Sequence, residues 1–209
     1  MHNPSRYDMD LLVCCNNTKG LGEIYDYALR ELTTDADIVV FVHDDVSIED
    51  AMFQNKLTEQ LATNDIVGIC GAKTMTLREP ALWHIMADRP TWSGYIGNID
   101  AEGKRWMVNF GGTPQPCVVL DGMLLAVKRS AVIAAKISFD PQFTFHCYDI
   151  DFCLSAHKAG LKMTTAPIWA IHGSPGLKHF NDPVFKDNQK KFVTKWAAQY
   201  LSTSSTVDS

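Results

Sequence analysis

Apolar positions along this chain fall into short unbroken runs separated by stretches with helical spacing. Leu11-Leu12-Val13-Cys14-Cys15 predicts a strand over 9–15, closed by the polar turn Asn16-Asn17-Thr18-Lys19-Gly20. Ile24, Leu29 and Leu32 then fall near one face, with Tyr25 and Ala28 beside them, which predicts a helix over 21–32. Ile38 to Val42 is β-branched, wholly apolar and too short for a helix. It predicts a central strand of a parallel sheet, covered on both faces. Strand, helix and strand together make a βαβ unit, whose crossover is right-handed and whose strands run parallel.

Ser47 and Asp50 resemble a capping box and predict a helix reaching about 61, followed by a buried strand over 66–71. From 73 to 116 the periodicity is lost. Trp83, Trp92, Tyr95, Trp106 and Phe110 lie scattered among Gly and Pro, with a hairpin turn expected over 98–103. This stretch is expected to form a small irregular lobe beside the main sheet, its tryptophans either packing or lining a sugar site. Val118 to Leu120 predicts a strand, Asp121-Gly122 a kink, Met123 to Val127 a second strand, and Ser130 the start of a short helix. A glycine inside an apolar strand often marks the close approach of a ligand or another backbone.

An extended segment over 139–145 precedes a helix over 148–160, with acidic residues at its start, a cation near its end and Gly160 as its C-cap. Phe152, Cys153 and Ala156 form its buried face, and Asp149 lies one turn earlier on that face, pointing inward. A strand over 161–170 is interrupted by Pro167, and His172 stands at a strand end. A loop over 175–183 leads to an amphipathic helix over 182–198, anchored by Phe185, Phe192, Trp196 and Tyr200. Strands alternating with helices define an α/β fold with a mostly parallel sheet. One domain over 1–200 is expected, with 201–209 as a flexible tail or a linker.

Composition narrows the function. A net charge of -5 and the absence of any longer basic run than Lys190-Lys191 argue against a nucleic-acid surface. No apolar run approaches membrane-spanning length, and the first residues lack the apolar core of a signal peptide. The six cysteines include no CxxC pair, which points to free thiols in a reducing, cytoplasmic setting. A zinc site built from Cys147, Cys153, His146 and His157 matches no standard spacing.

The chemistry concentrates at strand ends, where ligands of open α/β sheets bind. His43, Asp44 and Asp45 follow the apolar run 38–42 directly. Adjacent carboxylates there are costly unless something cationic neutralises them, which points to a divalent metal carrying a phosphorylated ligand. Asp121 at the glycine kink, Asp149 and His172 are further candidates. Each has a structural alternative: Asp149 as a helix cap, Asp44 and Asn16-Asn17 as turn residues, His172 as a satisfied buried histidine.

The order of these motifs resembles the GT-A glycosyltransferases, particularly the inverting family two. His43-Asp44-Asp45 stands in the place of that family's DxD motif, with His for the first Asp. Tyr148-Asp149-Ile150-Asp151 matches its Glu-Asp-x-Asp motif, with Tyr for Glu. His172-Gly173-Ser174 matches a downstream strand-end histidine, and the segment from Asp121-Gly122 to Arg129 matches the strand before the base helix. The likeness covers about 8–174. One departure is that the family carries two βα units before the DxD strand and this chain has room for one.

The resemblance implies a GT-A fold and transfer of a sugar from a nucleotide-sugar donor, UDP-linked by family prior, to a glycan acceptor. It implies inversion, with Asp149 as general base and Mn²⁺ or Mg²⁺ held by Asp45 and His172 with His43. It places Cys15, Asn16, Asn17, Lys19, Asp44 and Asp45 on the donor side, and Asp121, Gly122, Trp106 and Asp151 around the sugars. A sugar-nucleotide nucleotidyltransferase and a non-catalytic sugar-binding domain are the alternatives, and fusion to other glycan-biosynthesis domains is compatible with the tail.

Overall fold

A computed structural model describes residues 11–31, 36–100, 102–173 and 181–203, the last six of these by their backbone alone. Helix α1 (Leu21–Arg30) leads to strands β1 (Ile38–Val42) and β2 (Val46–Ile48), helix α2 (Phe53–Leu61), and strands β3 (Ile66–Gly68) and β4 (Cys70–Ala72). A short helix α3 (Trp83–Met86) and a 3-10 turn (Arg89–Thr91) precede the hairpin β5 (Trp92–Ile99) and β6 (Arg105–Gly111). Then come β7 (Val119–Leu120), β8 (Leu124–Lys128), α4 (Arg129–Ala134), α5 (Tyr148–Lys158), β9 (Met163–Thr165), β10 (Ala170–His172) and α6 (Pro183–Thr203).

The strands form two sheets, one four-stranded in the order β1-β8-β3-β9 and one six-stranded in the order β2-β10-β5-β4-β7, with β6 on β5. Five connections, β1 to β2, β2 to β3 through α2, β3 to β4, β7 to β8 and β9 to β10, pass from one sheet to the other. The segments His43 to Asp45 and Asp121 to Met123 are two of these crossings. The candidate residues therefore collect at the seam between the sheets.

Several expectations are corrected. Leu11 to Cys15 forms no strand, and Leu11, Leu12 and Val13 are exposed. An apolar run becomes a strand only where a neighbouring backbone takes its hydrogen bonds. Met9 and Asp10 lie outside the described residues. β1 is an edge among the described strands rather than a covered central one; it pairs antiparallel with β8, and only Phe41 of its side chains is fully buried. The fully covered strands are β3, β4, β7 and β9, with β8 buried as far as Val127. The pairing is also not mostly parallel, since among the described strands only β3–β9 and β10–β5 run parallel.

Ser47 lies in β2, not at an N-cap, and α2 begins at Phe53. Asp50 instead accepts hydrogen bonds from the Met52 and Trp169 backbone N–H groups and pairs with Lys56 at 2.7 Å. The aromatic stretch 73–116 is not a separate lobe, because β5 joins β4, β6 and β10 in one sheet. Its hairpin turn does form, with Gly103 at φ +80° and the Asp100 carboxylate accepting the Lys104 N–H at 2.8 Å. Finally, α6 continues to Thr203, beyond the expected start of the tail at 201. Phe185, Phe192 and Trp196 anchor it as expected, and the Tyr200 side chain lies outside the described residues.

Candidate active site

Two chain crossings and one helix N-terminus build the site. The β1–β8 ladder ends at Val42 opposite Leu124, and the His43 N–H donating to the Met123 carbonyl at 3.1 Å carries it one step further. This fixes His43 beside the Asp121-Gly122 kink. Gly122 lies against α5: a Cβ at this position would meet the Tyr148 hydroxyl at 2.2 Å and the Asp149 Cβ at 2.8 Å, so only glycine fits. Its N–H donates to Asp149 Oδ2 at 2.9 Å, and its carbonyl accepts from the Tyr148 hydroxyl at 3.1 Å. The Tyr148 oxygen in turn lies 2.6 Å from His43 Nε2.

On the other side of His43, β10 delivers His172. Its Nε2 is 3.2 Å from Asp45 Oδ1, and the Gly173 N–H donates to the Asp45 carbonyl at 2.7 Å. His43, Asp45 and His172 each offer a ligand atom within 4.8 Å of the others, the one such trio found among the described residues. An imidazole pair with one carboxylate is a plausible donor set for a divalent cation. Asp44 is exposed in the turn closed by the Val46 N–H and the His43 carbonyl.

Electrostatics separate the groups. Burial pushes the Asp149 carboxyl up to about 7, and the charge of Asp121 adds to that rise against the opposing Gly122 N–H. Burial lowers the His43 imidazole below its ordinary value, although the neighbouring Asp121 charge pulls the other way. Tyr148 is buried and raised well above the ordinary phenol range, first by that burial and then by Asp149, so it stays a neutral hydroxyl. Asp121 is itself held firmly. Its Oδ2 accepts from Trp83 Nε1 at 2.7 Å and its Oδ1 from the Met123 N–H at 3.0 Å.

The family model described as "Glycosyltransferase like family" matches residues 1–196. The chain belongs to that family. No curated protein matches it.

For this glycosyltransferase-like chain, the structure brings together His43, Asp45, Asp121, Gly122, Asp149 and His172. It does not bring Asp151 to them. Asp151 is fully buried, with its carboxylate accepting from Lys195 Nζ at 2.9 Å and Trp196 Nε1 at 2.9 Å on α6. Residues two apart on a helix point roughly 200° away from each other, so Asp149 and Asp151 cannot both face the seam.

The residues expected on the donor side in the 15–19 turn are held by local bonds. Asn17 accepts the Lys19 N–H at 2.9 Å and donates to the Lys19 carbonyl at 2.7 Å, Lys19 pairs with Glu23, Asn16 takes a positive φ of 50°, and Cys15 is exposed. Trp106 is 40% exposed. It lies opposite Asn98, which lies opposite His172, so the three share one face of the sheet.

Three residues of the site went unread in the sequence. Tyr148 was signalled only as a departure beside Asp149, and Asn98 only as part of a turn. Trp83 was signalled only as one of the aromatics scattered where the periodicity is lost, with nothing to tie it to Asp121. The cysteines carry no metal cluster among the described residues: Cys147 and Cys153 are buried thiols, facing the Ala81 and Leu120 carbonyls respectively. No helix among the described residues is long and apolar enough to cross a membrane.

Proposed function

We propose that the chain moves a glycosyl group from a nucleoside-diphosphate sugar, with UDP as the expected nucleotide, to a hydroxyl of a glycan acceptor, inverting the anomeric carbon. The observation that carries this reading is the placement of the Asp149 carboxylate, across Gly122 and Tyr148, from the His43, Asp45 and His172 cluster. Single displacement needs a base and a charge-binding group around one reaction centre, and this arrangement supports that reading.

Asp45, His172 and His43 would hold Mn²⁺ or Mg²⁺, and the donor set fits, with ligand atoms within 4.8 Å of one another. A cation held there supplies positive charge against the leaving diphosphate. Asp149 accepts the proton of the acceptor hydroxyl as that oxygen bonds to the anomeric carbon and the bond to the diphosphate breaks. A carboxyl raised to about 7 is a stronger base than an ordinary aspartate and is still substantially ionised at neutral pH. Asp121 and Gly122 border the sugar, with Trp106 as a stacking surface on the same sheet face as His172. Asp44 and the 15–19 turn would approach the nucleotide.

The test is a panel of UDP-, GDP- and dTDP-sugars offered with and without Mn²⁺, followed by the anomeric configuration of the product. Metal-dependent release of UDP that vanishes in Asp149→Asn supports the reading. A retained configuration rejects the single displacement, formation of UTP and sugar 1-phosphate from UDP-sugar only when pyrophosphate is added points to nucleotidyl transfer, and binding of donors without turnover points to a sugar-binding domain.

A further inference from the structure

The two places where the site departs from its family pattern touch each other. His43 stands where an Asp is expected and Tyr148 where a Glu is expected, and His43 Nε2 lies 2.6 Å from the Tyr148 oxygen. Tyr148 carries a single hydroxyl proton. The Gly122 carbonyl, 3.1 Å away, can only accept, so it can take that proton. The Tyr148 oxygen is then an acceptor toward His43, whose Nε2 must carry the hydrogen. The Tyr25 hydroxyl also bonds Tyr148, and whether the Gly122 carbonyl or the Tyr25 oxygen takes the one Tyr148 proton, the Tyr148 oxygen is left as the acceptor for His43. Neutral imidazole protonated at Nε2 keeps its lone pair at Nδ1.

The surroundings hold this arrangement rigidly. The His43 backbone is tied to Met123, Tyr148 is 3% exposed, and the absence of a Cβ at Gly122 is what lets the hydroxyl reach its carbonyl. We propose that Tyr148 is a positioning residue which fixes His43 as the Nε2–H tautomer, so that Nδ1 is the nitrogen offered to a divalent cation shared with Asp45 and His172. The inference rests on the metal-holding part of the proposed function. Second-shell groups that orient a ligating histidine are worth about 10- to 100-fold in metal affinity.

The test uses two measurements on the whole chain. Long-range ¹H–¹⁵N correlation on the metal-free wild type reads the tautomer of His43 directly, and is expected to show the proton on Nε2. Mn²⁺ titration followed by electron paramagnetic resonance is expected to show Tyr148→Phe binding about 10- to 100-fold more weakly, with an unchanged far-UV circular dichroism spectrum and a His43 tautomer that shifts or becomes mixed. A wild-type His43 protonated at Nδ1 overturns the inference, and needs no variant, so it decides the case even where Tyr148→Phe does not fold. A Tyr148→Phe variant that binds Mn²⁺ as tightly as wild type overturns the inference alone. A wild type that binds no Mn²⁺ overturns the metal-holding reading as well, and is told apart because the failure is already present before any substitution.

Discussion

Asp149 and Asp151 stand two positions apart at the start of one helix, and the fold gives them opposite work. Asp149 faces the seam between the sheets, with a backbone N–H at 2.9 Å, another carboxylate near it and no cationic partner among the described residues. Asp151 faces the core beneath α6, where Lys195 and Trp196 satisfy it. A carboxylate placed without a cation in a buried setting is destabilised as an anion, which is what a base needs. A carboxylate given a cation and a donor in the core is spent on holding two helices together. The helix geometry enforces the split, since an Asp-x-Asp step cannot aim both side chains the same way.

The sharpest way to break this comparison is to neutralise each carboxyl in turn. Asp149→Asn should reduce transfer by about 10²–10⁴-fold, the contribution of a positioned general base, with the folded state intact. Asp151→Asn should do the reverse, removing one of the two carboxylates beside Lys195, with Asp140 at 2.8 Å remaining, and weakening α6. Asp151→Asn loses the charge that both Lys195 and Trp196 donate to, although Lys195 is partly exposed and keeps Asp140, so chemical denaturation should show a clear loss of stability, and the protein that remains folded should keep its turnover number. Equal kinetic losses in the two variants would sink the division of labour.

Burial raises both carboxyls, Asp149 up to about 7 and Asp151 against the opposing Lys195, and the Asp149 rise sets the pH response of the site. The folded-state pKa of Asp149, about 7, lies above its ordinary 3.8, so the native state keeps a proton that the unfolded chain releases between those values. Its contribution to stability is full below the lower value and lost as pH rises through about 7. Thermal melts of the metal-free protein should therefore show Asp149→Asn gaining on wild type as pH increases through this window, and matching it at the acid end. The kcat/KM profile should carry an acid limb near the same pH, because the base must be ionised. A profile flat across that window would remove Asp149 from the role of base.

Much of this site was legible because its residues sit at local boundaries. Strand ends, a glycine kink and a helix start are marked in the sequence by abrupt changes of pattern, and His43, Asp45, Asp121, Asp149 and His172 all stand at such marks. What was not legible depends on pairing at a distance. The run Leu11 to Cys15 reads as a strand just as Ile38 to Val42 does, yet only the second finds a ladder partner, Leu124 to Lys128. Asp50 reads as part of a local cap, but its strongest partners, Lys56 and the Trp169 N–H, come from the next helix and from far along the chain. Trp83 reaches Asp121 from a segment with no period, and the crossing of strands between two sheets leaves no local trace. The Asp151 error was different in kind, since the helical repeat already placed it opposite Asp149.

The smallest expected effect separates the two parts of the α6 contact. Trp196 donates to Asp151 at 2.9 Å and is itself 5% exposed, so Trp196→Phe keeps most of the packing and deletes the donor. Lys195 still covers the charge, which distinguishes this variant from Asp151→Asn. A hydrogen bond to a charged group is worth about 1.5–3 kcal/mol, and the loss measured by denaturation should fall in that range, below the loss from Asp151→Asn. Because the indole lies on the far side of α5 from Gly122, the acid limb assigned to Asp149 should stay where it is. A shift of that limb in Trp196→Phe would mean that the two faces of α5 are coupled, and that the anchoring aspartate also helps set the strength of the base.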